Sequence, residues 1–146
     1  MRIKHFLGVN PGFCPGAVSI RRAEDKNLFS SWKDQNKCPY CGLTVKLTYP
    51  RSYTRNSTTY QGLSRTFILE SHLPASTKDQ TERRGCLICW EYEGVWAGVM
   101  DQEEWGKHVR RHFEEDGYWV CETGRSRRQM VDKEKCKAKR CRAVHS

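Results

Sequence analysis

Large aliphatic side chains are scarce in this chain. Leu, Ile, Val and Phe together supply 26 of 146 residues. That is below the roughly 20% under which a strongly charged chain is expected to stay disordered. Long apolar runs are also missing: no stretch approaches the roughly 20 residues of a bilayer-spanning helix, and the mean hydropathy is -0.82. The expectation is a soluble protein with no membrane association. The opening MRIKHFLGVNPGFCPG has a basic head, but Gly8, Asn10, Pro11 and Gly12 interrupt its apolar part. A secretory signal needs about 7–15 unbroken apolar residues, so none is expected here. Catalytic signatures are lacking as well. There is no H-E-x-x-H, no H-x-E with P-C-x-x-C, and no Gly-rich phosphate loop, which argues against an enzyme and against a small-molecule substrate.

What the chain does contain contradicts disorder. Five Trp, six Tyr, eight Cys and five His are a composition that disordered segments do not accumulate. A small domain short of apolar core is held together by disulfides or structural metals. An intracellular, reducing compartment favours metal-bound thiolates, whereas a secreted chain would pair its cysteines instead. The formal charge is +9, and it is unevenly spread. Nine basic residues, Arg125, Arg127, Arg128, Lys133, Lys135, Lys137, Lys139, Arg140 and Arg142, stand against only Asp132 and Glu134 in the same segment. The positive field therefore belongs to the C-terminal tail.

The pattern along the chain divides it into three modules, 1–76, 77–117 and 118–146, with linker composition over 74–84 (PASTKDQTERR). In the first, residues 17–32 read as a helix, and Leu43, Val45, Leu47 and Tyr49 alternate with polar residues as in a half-buried strand. Residues 50–62 have loop composition, and an apolar stretch then runs from Leu63 to Leu73. In the second, Asp101 with Glu104 three residues on is a capping box that opens a helix over 102–115, and Gly117 stops it. Tyr118 to Cys121 returns as an extended segment. The fold class is small α+β with little regular secondary structure, stabilised by zinc in two or three finger-like modules.

Three sets of Cys and His have metal-ligand spacing. Cys86 and Cys89 are two residues apart on a tight turn, and His108 and His112 share one face of the helix. This set resembles the two-Cys, two-His zinc fingers, which implies a hairpin carrying the thiolates and a helix carrying the imidazoles. The 18 residues between Cys89 and His108 exceed the roughly 12 of the common finger, so standard DNA docking does not carry over. Cys121, Cys136, Cys141 and His145 resemble the three-Cys, one-His fingers, a class often associated with single-stranded RNA. No aromatic lies between Cys121 and His145 for base stacking, although Tyr118 and Trp119 lie just outside. An alternative partition gives Cys121 to the neighbouring finger. Cys38, Cys41 and His72 form the third set, completed by Cys14 or by His5.

Cys38-Pro39-Tyr40-Cys41 also matches the glutaredoxin redox motif. In that fold the first Cys caps a helix after an apolar strand, whereas here a polar WKDQNK precedes it. With only two C-x-x-C pairs, a RING-type ligase is not expected either. The sequence points to structural Zn2+ and to nucleic acid, RNA or DNA, bound by the nine basic tail residues through counterion release. Arg83, Arg84, Arg110 and Arg111 would extend the basic surface. The two basic clusters of the tail resemble a nuclear-import signal and favour a nuclear site. The alternative is a zinc-stabilised adaptor, or an effector secreted and then translocated, that docks another protein through Trp90, Tyr92, Trp96 and Trp119.

Overall fold

In a computed structural model, the described residues are 10–22, 37–45, 53–55, 57–60, 63–75, 81–121, 136 and 141–145, with the backbone alone for 53–55 and 58–60. Among them, helix α1 spans Pro15–Arg22, strands β1 (Tyr53–Arg55) and β2 (Thr58–Tyr60) form an antiparallel hairpin, and three helices follow. These are α2 (Arg65–Leu69), α3 (Leu87–Glu93) and α4 (Gln102–Glu114). Regular structure is sparse, and short backbone bridges join the pieces.

The helix boundaries follow local chemistry. Proline at the first position of α1 has no N–H to leave unsatisfied, and the Cys14 carbonyl accepts the first intrahelical bond, from Val18, at 3.0 Å. The Ser64 hydroxyl accepts from the Phe67 N–H at 3.1 Å and opens α2. Asp101 caps α4 as the capping box predicts, its carboxylate accepting from the Glu104 N–H at 2.8 Å. Gly94, in a left-handed conformation (φ 67°), ends α3.

Two expectations are corrected. Residues 50–62, read as a loop, contain the β1–β2 hairpin, with Ser57 at φ 62° in its turn. Cys86 and Cys89 do not sit on a β-hairpin. Cys86 caps α3, and Leu87, Ile88 and Trp90 of that helix are buried, so the 86–112 unit is a helix, a loop and a helix. The physical reason is burial: three large apolar side chains within four residues reach one core when wound on a helix. The helix expected over 17–32 is seen as α1 up to Arg22, and its remainder lies outside the described residues, as do Leu47 and Tyr49 of the expected strand.

A single hydrophobic cluster draws on nearly every described part of the chain. Phe13 and Ala17, Leu43 and Val45, Phe67 and Leu69, Leu87 and Trp90, Trp105 and Phe113, Val120 and Val144 all belong to it. In α4 the buried residues Trp105, Val109, His112 and Phe113 form one stripe at helical spacing. The sequence boundary at 76/77 falls outside the described residues, but the chain is stitched across it. The Leu73 N–H donates to the Arg83 carbonyl at 2.9 Å, and the Gly85 N–H donates to the Ser71 carbonyl at 2.9 Å. Arg84 in turn exchanges both backbone bonds with Met100.

Candidate metal centres

The structure gathers three clusters, and their membership follows the spacing argument residue by residue. Cys14, Cys38, Cys41 and His72 form the first, Cys86, Cys89, His108 and His112 the second, and Cys121, Cys136, Cys141 and His145 the third. Within each, the potential ligand atoms all lie within 4.8 Å of one another. Cys14 takes the fourth place in the first cluster, and His5 lies outside the described residues.

The first cluster is built from a turn, a helix start and a helix end. Around Cys38 the chain reverses sharply. The Cys38 N–H donates to the Leu43 carbonyl and the Gly42 N–H to the Cys38 carbonyl, both at 2.8 Å, and Gly42 adopts φ 74°. No helix starts at Cys38, so the motif lacks the helix N-terminus that activates the redox thiol in a glutaredoxin. Cys14 stands instead at the N-terminus of α1, with its Sγ 3.7 Å from that of Cys38. His72 follows α2, and its Nδ1 lies 2.6 Å from the Leu69 carbonyl. That contact assigns the proton to Nδ1 and leaves Nε2 for the thiols.

In the second cluster α3 presents two thiols and α4 two imidazoles. Cys86 Sγ accepts from the Cys89 N–H at 3.3 Å, and Cys89 Sγ is 3.3 Å from Nε2 of both His108 and His112. Cys86 Sγ lies 3.4 Å from His112 Nε2, and the two Nε2 atoms are 3.2 Å apart. In the third, Cys121 Sγ is 3.9 Å from both Cys136 Sγ and Cys141 Sγ. His145 is held by its backbone: its N–H donates to the Tyr92 hydroxyl at 3.1 Å, and its carbonyl accepts from Arg21 at 2.8 Å. A parallel bridge between Val120 and Val144 brings the two ends of this cluster side by side.

The edge lengths test whether an ion fits. A tetrahedral ion with metal–sulfur bonds of about 2.3 Å and metal–nitrogen bonds of about 2.0–2.1 Å has edges of about 3.8 Å (S–S), 3.5 Å (S–N) and 3.3 Å (N–N). The observed S–S separations of 3.7 and 3.9 Å, S–N of 3.3 and 3.4 Å and N–N of 3.2 Å match these. They are far beyond the roughly 2.05 Å of a disulfide. Each of the three clusters could hold a metal ion, and their dimensions are compatible with zinc.

The electrostatics agree with such a role. Burial opposes charge on His72, but the Cys38 and Cys41 thiols and the Leu69 carbonyl outweigh it and hold the imidazole up at about 9. Its counterpart Cys38 is pulled below the ordinary thiol range, first by the Cys14 hydrogen bond and then, against burial, by His72. Cys89 is drawn down in the same way, by Cys86 and then by His108 and His112, while burial pushes Cys86 up. Thiols and imidazoles this close are the groups a bound dication deprotonates when it takes them as ligands.

Sequence reasoning passed over one supporting residue. The Asp116 carboxylate stands 3.0 Å from His112 Nδ1, although the approach is not linear enough for a full hydrogen bond. Its position four residues after His112 was a legible helical-spacing signal. A carboxylate behind a ligating histidine orients the ring and raises its basicity, and losing one typically costs about 10–100-fold in metal affinity. Because Asp116 is partly exposed, Asp116→Ala is expected to weaken the second centre by about tenfold, at the low end of that range. Competition against a chromophoric chelator checks this, and an unchanged affinity would show that His112 is oriented without it.

The candidate nucleic-acid residues are placed unevenly. Arg142 is exposed, while Arg125, Arg127, Arg128, Lys133, Lys135, Lys137, Lys139 and Arg140 lie outside the described residues. The four other arginines expected to extend the basic surface do not act alike. Arg84 is fully buried against Glu82, and Arg111 is exposed but faces Glu115 at 3.8 Å. Arg110 is half-buried and Arg83 exposed. The exposed residues of α4 also include Glu103, Glu104 and Glu114, with Glu103 paired to Lys107, so this helix does not present the basic face that groove binding requires. The chain significantly matches no known protein family, no curated protein and no solved structure.

Proposed function

We propose that this chain is a non-catalytic protein held together by three structural zinc ions, which binds RNA or DNA through its C-terminal basic segment. The observation that carries the reading is positional. Eight of the nine tail Lys/Arg lie between the third cluster's cysteines in sequence, and the ninth, Arg142, follows Cys141 directly. A zinc ion at that cluster would tie both ends of the basic segment to the folded body and present its charge to phosphates. Zinc in each cluster has four protein ligands and no open position, which is the structural rather than the catalytic arrangement. An intracellular, nuclear site accords with this reading.

The alternative, a protein-docking adaptor or effector, has less support from the four aromatics it would use. Trp90 is buried, Trp96 packs edge-on against Phe13, and Tyr92 is engaged with His145. Of these four, Trp119, at 48% exposure, is the exposed one, and an exposed aromatic beside a basic segment also suits base stacking.

Fluorescence anisotropy with single-stranded RNA, single-stranded DNA and duplex DNA tests the proposal. Binding through six or more phosphate contacts should weaken by about 10³-fold or more on duplex DNA between about 50 and 200 mM salt, and by a few hundred-fold or more on the single strands, whose slope is shallower. Replacing Lys133, Lys135, Lys137 and Lys139 together by Gln should flatten that dependence while leaving the metal content unchanged. No binding to any of the three at about 50 mM salt would sink the nucleic-acid reading and leave the docking alternative.

A further inference from the structure

The three clusters are not equally shielded. Cys14, Cys38, Cys86 and Cys89 are buried, and in the first cluster only Cys41 reaches the half-buried range. In the third cluster all three cysteines are half-buried, and only His145 is enclosed. Thiolate oxidation needs access to the sulfur as well as negative charge on it, so the third centre, with three half-buried sulfurs, is more open to small oxidants than the first, where Cys41 alone is half-buried, or the second, where both thiols are buried.

We propose that the third cluster is an oxidisable site, at which a hydroperoxide converts two of its cysteines into a disulfide and expels the metal while the first two centres stay intact. This rests on the reading that the cluster holds zinc. Cys121 is the pivot, because its Sγ is 3.9 Å from both Cys136 Sγ and Cys141 Sγ. Closing either gap by about 2 Å makes a disulfide.

The chemistry balances with peroxide as the only oxidant. One cluster thiolate attacks a peroxide oxygen, the O–O bond breaks, and the departing hydroxide takes a proton from solvent, leaving a sulfenic acid. The neighbouring thiolate then attacks that sulfur, the S–O bond breaks, and the second hydroxide also takes a solvent proton. Two thiolates give up two electrons, hydrogen peroxide becomes two waters, and the metal leaves as the dication for lack of ligands.

The rest of the fold can survive this step. The third cluster is tied to the body through the Val120–Val144 bridge and through Tyr92 and Arg21 on the His145 backbone. None of these contacts uses a ligand of the other two clusters. Its loss therefore leaves the buried thiols of α3 and the Cys38 turn in place.

The test takes the full chain loaded with zinc, counts bound ions by native mass spectrometry, and then titrates it with hydrogen peroxide. Released zinc is followed with a chromophoric chelator, and each cysteine is mapped by differential alkylation and peptide mass spectrometry. The expected result is that the first ion leaves as Cys121 becomes disulfide-bonded to Cys136 or Cys141, with Cys86, Cys89, Cys14 and Cys38 still reduced. First oxidation at Cys86 and Cys89, or within the Cys14, Cys38 and Cys41 set, would overturn the proposal, as would simultaneous release of all ions. A chain that binds only two ions before peroxide is added, leaving Cys121, Cys136 and Cys141 without metal, overturns the zinc reading itself, and the initial count reveals it separately.

Discussion

Stripping the proposed zinc from this chain is expected to unfold it. Structural zinc in finger-like sites supplies about 10–16 kcal/mol of apparent folding free energy near pH 7, whereas a typical domain has a net stability of only about 5–15 kcal/mol. The apolar core cannot make up the difference, since so few residues are large aliphatics. Ligands from the second cluster also lie inside that core: Cys86 and Cys89 belong to the same hydrophobic cluster as Trp90, Trp105 and Phe113. A chelator should therefore abolish the near-ultraviolet circular dichroism of the buried Trp90 and Trp105 together with the helical signal. Zinc added back under reducing conditions should restore both. Acid should act in the same direction, because thiolates and imidazoles must be deprotonated to bind, so metal affinity falls as pH falls. A thermal transition indifferent to chelator would show that packing alone sustains the fold.

Removing the Glu82 carboxylate is expected to cost about 3–5 kcal/mol, the range for stranding one member of a buried ion pair. Arg84 and Glu82 are both buried, with guanidinium nitrogens 2.7 and 2.9 Å from Glu82 Oε1. The guanidinium also lies 4.8 Å from the Trp105 ring centroid, which adds a cation–π contact. Around it the backbone of Arg84 links the strand-like segment at His72 to that at Met100, two residues before Cys86. Glu82→Ala would remove the carboxylate that two guanidinium nitrogens contact, next to ligands of two centres. Replacing both partners, Glu82→Leu with Arg84→Met, should be far milder, because apolar groups of similar volume need no desolvation. Chemical denaturation of the metal-loaded chain distinguishes these. Equal losses in the single and double variants would mean that the shape of Arg84, and not its charge, is what matters there.

Much of the candidate site was legible because metal ligands are a short list of residue types at restricted spacings. The two C-x-x-C pairs anchored two of the three sets, and helical periodicity put His108 and His112 on one face. The capping box at Asp101 was equally plain. Less visible was the origin of the thiols in the second centre. Cys86 caps a helix, and the apolar LIxW that follows suits a buried helix as well as a buried strand, since a run that short has no decisive period. The hairpin at 53–60 carried a signal that the loop-like composition masked: β-branched and aromatic residues flank a two-residue turn. Pro15 directly after Cys14 likewise marked a helix start.

From the sequence alone came the scarcity of core, the sets of metal-ligand residues and the concentration of positive charge in the tail, since all three are properties of composition and local spacing. Tertiary structure decided what those residues do beside one another. Arg84 reads as surface charge, yet it is buried because a carboxylate two residues away and the face of Trp105 compensate its desolvation. Arg21 reads as an ordinary helix residue and Tyr92 as an aromatic for docking a partner, yet both hold the backbone of His145 more than 50 residues away in the chain. Such pairings rest on long-range contacts between elements, which no local pattern encodes. They also join the three modules that the spacing suggested into a body with one shared core.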